Sequence, residues 1–252
     1  MSPRPATGPR ALTGARPVAR PAAGGPGRFS GFDTVSQAGH WDEITAAAVL
    51  SRLGPPPALR FFSPVEEAAA TALLDLLLGQ AEPAGRTLLG AGGAGSAGDA
   101  GERLRVPVTA MIDARLAEAE TDGWRYADMP EDGQAWRDTL GYLDADAQAR
   151  YGCGFATCPL AGQAALIQAV QDLGSADWHG LPASRVWSLW TRYACTAFYA
   201  HPAAWNEIGF PGPAYPRGYK NLGAGRREPF EVADAEPADD PVRSFPGPDG
   251  EG

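Results

Sequence analysis

The chain has 252 residues, of which 44% are hydrophobic and 20% are charged, and its formal net charge is −9 at pH 7. This composition is typical of a soluble globular protein. The acidic balance excludes a core that binds nucleic acid, because phosphate contacts need a basic face. No run of 18 apolar residues is present, so the sequence predicts no membrane-spanning helix.

The two ends differ in composition from the rest of the chain. Residues 1–28 contain five Arg, six Pro and five Gly but no acid, whereas residues 228–252 contain eight acids and one Arg. Neither stretch can bury enough apolar surface to offset the entropy of ordering it. We therefore predict a disordered basic arm, a disordered acidic tail and one domain over residues 29–227, which is long enough for a sizeable core.

The first predicted elements are two helices. The first begins at His40-Trp41-Asp42-Glu43 and ends before Pro55-Pro56-Pro57, because proline cannot donate a hydrogen bond to a helix. The second begins at Ser63-Pro64-Val65-Glu66, where a capping residue precedes Pro at the first helical position and Glu follows three residues later. Its leucines continue to about Gly79 and are numerous enough to predict a core helix.

Residues 81–101 are rich in Gly and Ala and predict a flexible insertion. Within it, residues 90–95 satisfy the pattern G-x-G-x-x-G, which binds dinucleotides only between a buried strand and a helix. The preceding apolar run is too short for a buried strand, and the following residues are too rich in Gly for a good helix. We interpret the pattern as low complexity and expect this chain to hold no cofactor of its own.

The remaining chain continues the helical pattern up to residue 199. Further helices are predicted over residues 107–116, 132–143, 145–151 (with Asp144 as its cap), 160–173 and 183–199. Residues 201–227 contain four Pro and four Gly before residue 224 and predict a long, irregular but ordered loop. The predicted fold is therefore a single all-α domain of six or seven helices.

Three cysteines do not form a recognisable metal site. Cys153 and Cys158 are five residues apart and Cys195 is distant, whereas zinc and iron–sulfur sites usually need four ligands and tighter pairs. Cys153 and Cys158 could form a local disulfide, remain free thiols or supply a disulfide to another subunit. Cys195 lies in an apolar helix, and we expect it to be a small buried hydrophobic residue.

The three histidines, His40, His179 and His201, each lie beside an aromatic residue or a proline. A histidine can act as a base or a metal ligand. However, the sequence contains no nucleophile motif and no H-E-x-x-H pattern that would accompany such a role. Structural or interface roles are favoured, and no catalytic residue or metal ligand is predicted.

Aromatic residues are concentrated near the predicted C-terminal loop. Aromatic side chains on a segment stiffened by proline are typical of a protein–protein interface. The alternative is an aromatic platform that binds sugars. The predicted partner-binding residues are Tyr199, His201, Trp205, Phe210, Tyr215 and Tyr219.

The same region resembles the C-terminal signature of the gluconate 2-dehydrogenase subunit 3 family. The shared features are a helix ending in F-Y-x-x-P (198–202), a G-aromatic-x-G-P step (209–213) and P-x-G-Y (216–219). Phe61 to Glu66 and Val106 to Leu116 also resemble the family's first two helices. The resemblance extends over about residues 29–222.

The resemblance implies a small, cofactor-free helical subunit. Its partner would be a large FAD-dependent sugar or polyol dehydrogenase of the glucose–methanol–choline type, often accompanied by a cytochrome c subunit. In that family the large chain carries FAD and the chemistry, while the small chain supports stability, maturation or export. Many members carry a twin-arginine signal. Here no Arg pair precedes an apolar stretch, so we expect a cytoplasmic protein or export together with a signal-bearing partner.

The alternative function is a stand-alone small enzyme that oxidises a sugar, or a sugar-binding module. The enzyme would use His201 or His179 as its base, and both would use the aromatic residues of 199–219 as their platform.

Overall fold

A computed structural model of the chain describes residues 29, 32–81, 105–120, 125–223 and 226–232. Within these residues, seven α-helices and one short antiparallel hairpin are present, which confirms the predicted all-α domain. The elements are α1 (Glu43–Leu50), α2 (Pro64–Leu77), α3 (Val108–Ala117), α4 (Asp132–Tyr151), α5 (Leu160–Asp172), β1 (Asp177–Trp178), β2 (Leu181–Pro182), α6 (Ala183–Tyr199) and α7 (Pro202–Ile208). Three 3₁₀ segments lie at Thr34–His40, Ser51–Leu53 and Phe155–Thr157. The basic arm and the G-x-G-x-x-G pattern lie outside the described residues.

Helix α2 begins as the sequence predicts, with a reciprocal capping box. The Ser63 hydroxyl accepts from the Glu66 amide (3.4 Å), and the Glu66 carboxylate accepts from the Ser63 amide (2.8 Å). Arg137 of α4 donates to the same carboxylate at 2.8 Å. Partial burial opposes ionisation, but the hydrogen bonds from Ser63 and the ion pair with Arg137 outweigh it and lower the pKa of Glu66.

A buried carboxylate on α3 orders the chain that leads into α2. Asp113 is 1% exposed, and its two oxygens accept hydrogen bonds from the amides of Arg60 (2.7 Å), Phe61 (2.9 Å) and Phe62 (2.8 Å). A buried charge is tolerated when hydrogen bonds replace its hydration. The three amides therefore fix the residues before α2 against α3.

The main core lies between helices α2, α3, α4, α5 and α6. Its largest fully buried side chains include Trp136, Trp190 and Tyr193. The Tyr193 hydroxyl donates to the buried Asp132 carboxylate at 2.7 Å, and burial together with this acceptor strongly raises the pKa of Tyr193. The Tyr193 hydroxyl of α6 and the Asp132 carboxylate of α4 thus satisfy each other inside the core.

The boundary predicted inside α4 is wrong. One continuous helix covers Asp132–Tyr151, and the Asp144 side chain does not cap a second helix but accepts from the Phe155 amide at 2.7 Å. Leu143 and Ala147, on either side of the predicted boundary, are both buried in the core. Tertiary packing therefore overrides the local capping signal.

The cysteines separate into a bonded pair and a free thiol. Cys153 and Cys158 form a local disulfide, one of the three possibilities that the sequence left open. The expectation that Cys195 is buried is wrong, because it is exposed. It lies nine residues after the buried Val186, which is two and a half helical turns, and therefore on the opposite face of α6.

The loop predicted over residues 201–227 contains a helix. Pro202 at the first helical position begins α7, and Gly209, with a φ of 67°, ends it. The rest of this stretch contains no helix or strand among its described residues. Pro202 and Gly209 do not stand out as start and stop signals in the sequence, because proline and glycine are frequent throughout the region.

Candidate partner-binding surface

A second, smaller core holds α7 against the N-terminal part of the domain. Trp41, Val49 and Trp205 are buried together, with Phe210 packed against them, and we call this set the Trp41–Trp205 cluster. The rings of Trp205 and Phe210 meet edge to face with centroids 5.1 Å apart. The Trp205 indole donates to the Tyr199 carbonyl at 2.7 Å, so its polar atom is satisfied inside the chain.

Hydrogen bonds from the first 3₁₀ segment reinforce this contact. The Thr34 amide donates to the Asn206 side chain (2.7 Å), and the Thr34 hydroxyl donates to the Phe210 carbonyl (2.8 Å). Thr34 is fully buried. At Gly212, with a φ of 79°, an added Cβ would overlap the Trp41 indole, so only glycine permits this approach. Residues about 170 apart in sequence are thereby fixed to each other.

His201 caps α7 and is 3% exposed. Its Nδ1 accepts from the Ala203 amide at 3.2 Å, so Nε2 carries the proton and donates to the Arg52 carbonyl at 2.8 Å. Burial lowers the pKa of His201 and favours the neutral ring. Both ring nitrogens are occupied, so this geometry does not suit a general base.

His179 lies elsewhere, in the turn of the β1–β2 hairpin. It has a φ of 51°, its ring stacks on Tyr142 with centroids 4.6 Å apart, and its Nε2 lies 2.8 Å from an Asp146 oxygen. The other Asp146 oxygen accepts from the Trp178 indole at 2.8 Å. These contacts account for a structural role in the hairpin.

The six residues predicted to bind a partner divide into two groups. His201 is buried at the start of α7, Trp205 is buried in the Trp41–Trp205 cluster, and Phe210 is partly buried against that cluster. The three tyrosines are open to solvent, with exposed fractions of 45% for Tyr199, 67% for Tyr215 and 50% for Tyr219. Two exposed apolar residues nearby in sequence, Ile208 and Leu222, were not predicted. Aliphatic side chains at the end of a helix and in a loop carry no sequence signal for exposure.

A buried glutamate orders the chain after Tyr219. Glu228 is 5% exposed, and its carboxylate accepts from the backbone amides of Lys220 and Asn221. The Glu231 side chain accepts in turn from the Glu228 amide at 2.6 Å. The described chain therefore continues to Val232, within the segment assigned to the acidic tail.

No cluster of three or more His, Cys, Asp or Glu side chains in the described part of the chain is arranged to hold a metal ion. None of the helices described is both long and apolar enough to cross a membrane.

Comparison with known families gives a match over most of the helical domain. The family model described as gluconate 2-dehydrogenase subunit 3 matches residues 64–212, which is more than half of the chain. The match begins at α2 and includes Trp205 and Phe210, but it ends before Tyr215 and Tyr219. It is therefore shorter at both ends than the resemblance over residues 29–222. No curated protein and no solved structure matches the chain. The family's name denotes a subunit of a dehydrogenase complex, and the chain belongs to the gluconate 2-dehydrogenase subunit 3 family.

Proposed function

We propose that the chain is a non-catalytic small subunit that binds a large FAD-dependent sugar dehydrogenase chain and supports its stability or maturation. In this proposal FAD and the chemistry belong to the large chain, a cytochrome c subunit can accept the electrons, and the small chain contributes contact surface. Membership of the subunit 3 family supports the assembly into a dehydrogenase complex.

The observation that carries the proposal is the exposure of Tyr199, Tyr215 and Tyr219 beside an ordered cluster. A tyrosine offers a large apolar ring and a hydroxyl at a low cost in conformational entropy, and it is enriched where protein interfaces are strongest. The chain near these tyrosines is held by the Trp41–Trp205 cluster on one side and by Glu228 on the other. Such a segment has less freedom to lose when it docks.

The proposal gives the two groups of residues different roles. The exposed tyrosines contact the partner directly, whereas His201, Trp205 and Phe210 hold the backbone that presents them. Of the six residues predicted to bind the partner, we therefore propose that only the three tyrosines touch it.

The test is the affinity between the purified chain and the large chain after truncation of one tyrosine at a time. Tyr215→Ala and Tyr219→Ala should each weaken binding by about thirtyfold, since an interface hot spot contributes ~2 kcal/mol or more. Thermal stability of the isolated chain should stay the same for Tyr215→Ala, since this residue is 67% exposed. It should change little for Tyr219→Ala, since this residue is 50% exposed and its ring contacts only the Phe230 ring among the described aromatic residues, with centroids 6.0 Å apart. The matched control is Tyr151→Ala, which removes an exposed tyrosine at the end of α4. This control should bind normally.

Equal affinity of the Tyr215, Tyr219 and Tyr151 variants for the large chain would contradict the assigned surface. A sugar-binding or stand-alone catalytic role predicts a different result, namely that the chain alone binds or oxidises a sugar with an artificial electron acceptor. Measurable sugar oxidation by the isolated chain would overturn the non-catalytic assignment.

A further inference from the structure

A partly open cavity of about 430 Å³ lies where the first and last described segments meet. Two aromatic rings contribute to its walls, together with polar and charged side chains from both segments. Its lining includes Phe32, Gln37, His40, Arg217, Phe230 and Glu231. Arg217 belongs to the P-x-G-Y step, between the exposed Tyr215 and Tyr219.

The guanidinium of Arg217 is held in place but only partly paired. Its Nη1 donates to the Gln37 side chain at 3.1 Å, and its central carbon lies 3.8 Å from the centre of the Phe230 ring. Its Nε and Nη2 are buried and have no hydrogen-bond partner among the residues that the structure describes. Arg217 forms no ion pair with any carboxylate of the described residues.

The two unpaired nitrogens form one edge of the guanidinium. The N–H groups of Nε and Nη2 point in the same direction, with the spacing of the two oxygens of a carboxylate. Leaving such donors buried without an acceptor is costly, and more so when they carry charge. An arginine fixed by Gln37 and Phe230 with this edge unused would gain two hydrogen bonds from an anion that displaces the atoms now covering the edge.

The other charged groups of the cavity restrict the kind of anion. Glu231 lies in the same lining and would repel a dianion more strongly than a monoanion, while Arg217 is the only arginine or lysine among the described lining residues. Phe32 and Phe230 offer apolar contact for the rest of a ligand. These features favour a single carboxylate on an apolar or aliphatic stem over a phosphate.

We infer that Arg217 is the centre of a carboxylate-binding site. The carboxylate has two possible sources: a free small organic acid, or an Asp or Glu side chain of the large chain, which rests on the proposed function. Both sources use the same pairing with Nε and Nη2, so the site can be tested first without any partner.

The first arm follows the Arg217 Nε–H resonance of the full chain by NMR while sodium acetate replaces sodium chloride at constant ionic strength. The variant Arg217→Lys keeps the charge but lacks the two-pronged edge. The Arg217 resonance is identified as the Nε–H signal that is missing from the spectrum of this variant. We expect the resonance to shift and saturate with acetate but not with acetamide. A second probe is the rise of the melting temperature with acetate concentration. The apparent acetate affinity obtained from it should be at least about tenfold weaker in Arg217→Lys than in the natural chain.

Glu231→Gln is the matched variant for the cavity's own carboxylate. Removing this negative charge should tighten acetate binding. If acetate leaves the Arg217 resonance unmoved in both the natural chain and Glu231→Gln, the inference is wrong, whether or not the large chain binds.

The second arm identifies the source by measuring the affinity of Arg217→Lys and Arg217→Gln for the large chain. Two results together assign the carboxylate to the large chain. Both variants lose tenfold or more in affinity for the large chain, and acetate no longer shifts the Arg217 resonance of the natural chain once it is in the complex. Unchanged affinity, with acetate still binding in the complex, assigns the site to a free acid. Failure of the large chain to bind the natural subunit refutes the proposed function alone and leaves the first arm valid.

Discussion

Trp205 separates the two roles assigned to the C-terminal aromatic residues, and its removal should destabilise the isolated chain. The side chain is 5% exposed and packs against Trp41, Val49 and Phe210. Truncation of a buried Trp to Ala typically costs ~3–5 kcal/mol, since it loses transfer free energy and leaves a cavity. Trp205→Ala also leaves the Tyr199 carbonyl without the indole donor. For a domain of this size, such a loss lowers the melting temperature by roughly 10 °C.

Trp205→Phe is the graded control for this prediction. It retains most of the ring but not the donor, so we expect a loss of ~1–2 kcal/mol from the hydrogen bond and the smaller volume. Because the Trp41–Trp205 cluster is separate from the main core, the loss can be local. The Thr34 amide, which donates to Asn206 of α7, should then exchange its hydrogen faster than amides of α6.

The assay combines thermal unfolding of the isolated chain with hydrogen exchange at Thr34 and affinity for the large chain. Trp205→Ala should lower the thermal stability and the affinity and should speed hydrogen exchange at Thr34, whereas Tyr215→Ala should lower affinity alone. If Trp205→Ala abolished partner binding while thermal stability and Thr34 exchange stayed unchanged, Trp205 would be a direct contact and the reasoning from its burial would be refuted.

Three further predictions concern stability. Asp113→Asn leaves one oxygen to serve three backbone amides and should lower the free energy of unfolding in urea by roughly 3 kcal/mol; an unchanged midpoint would refute the role of this carboxylate. Reduction of the Cys153–Cys158 disulfide should cost about 2 kcal/mol by the chain-entropy relation for a short loop, while Cys195→Ser should change nothing in a thermal melt. The pKa of His201 is lowered on folding, so its contribution is fully present above the unfolded value of 6.5 and is lost as pH falls towards the folded pKa. His201→Asn, which keeps a capping side chain, should flatten the fall of unfolding free energy below pH 6.5, and an equally steep fall in this variant would exclude His201 as the cause.

Local signals predicted most of the helices, and their failures have identifiable causes. The capping box at Ser63 depends on residues three positions apart, so the sequence contains everything needed to predict it. Asp144 offers a similar signal, but the continuous burial of Leu143 and Ala147 makes one long helix more stable than two. The signals for α7 were present in Pro202 and Gly209, but they were not separable from the surrounding prolines and glycines.

The candidate surface was predicted as a region but not residue by residue. The stretch 199–219 contains more aromatic residues than its own turns can bury, and its three tyrosines are all exposed. Which aromatic residues are exposed depends on Trp41, which lies 164 positions before Trp205 in the chain. No periodicity within the stretch reports such a distant partner. The unpaired edge of Arg217 is invisible for the same reason, because Gln37 and Phe230 come from different ends of the domain.

The sequence by itself determined the helical class, most helix limits and the family resemblance, because these depend on caps, periodicity and motifs within a few neighbouring residues. The tertiary structure alone decided that Trp205 is buried while Tyr215 is exposed, that Asp113 binds three distant amides and that Cys195 faces solvent. Burial is set by contacts between residues far apart in the chain, and those contacts exist only once the helices have packed.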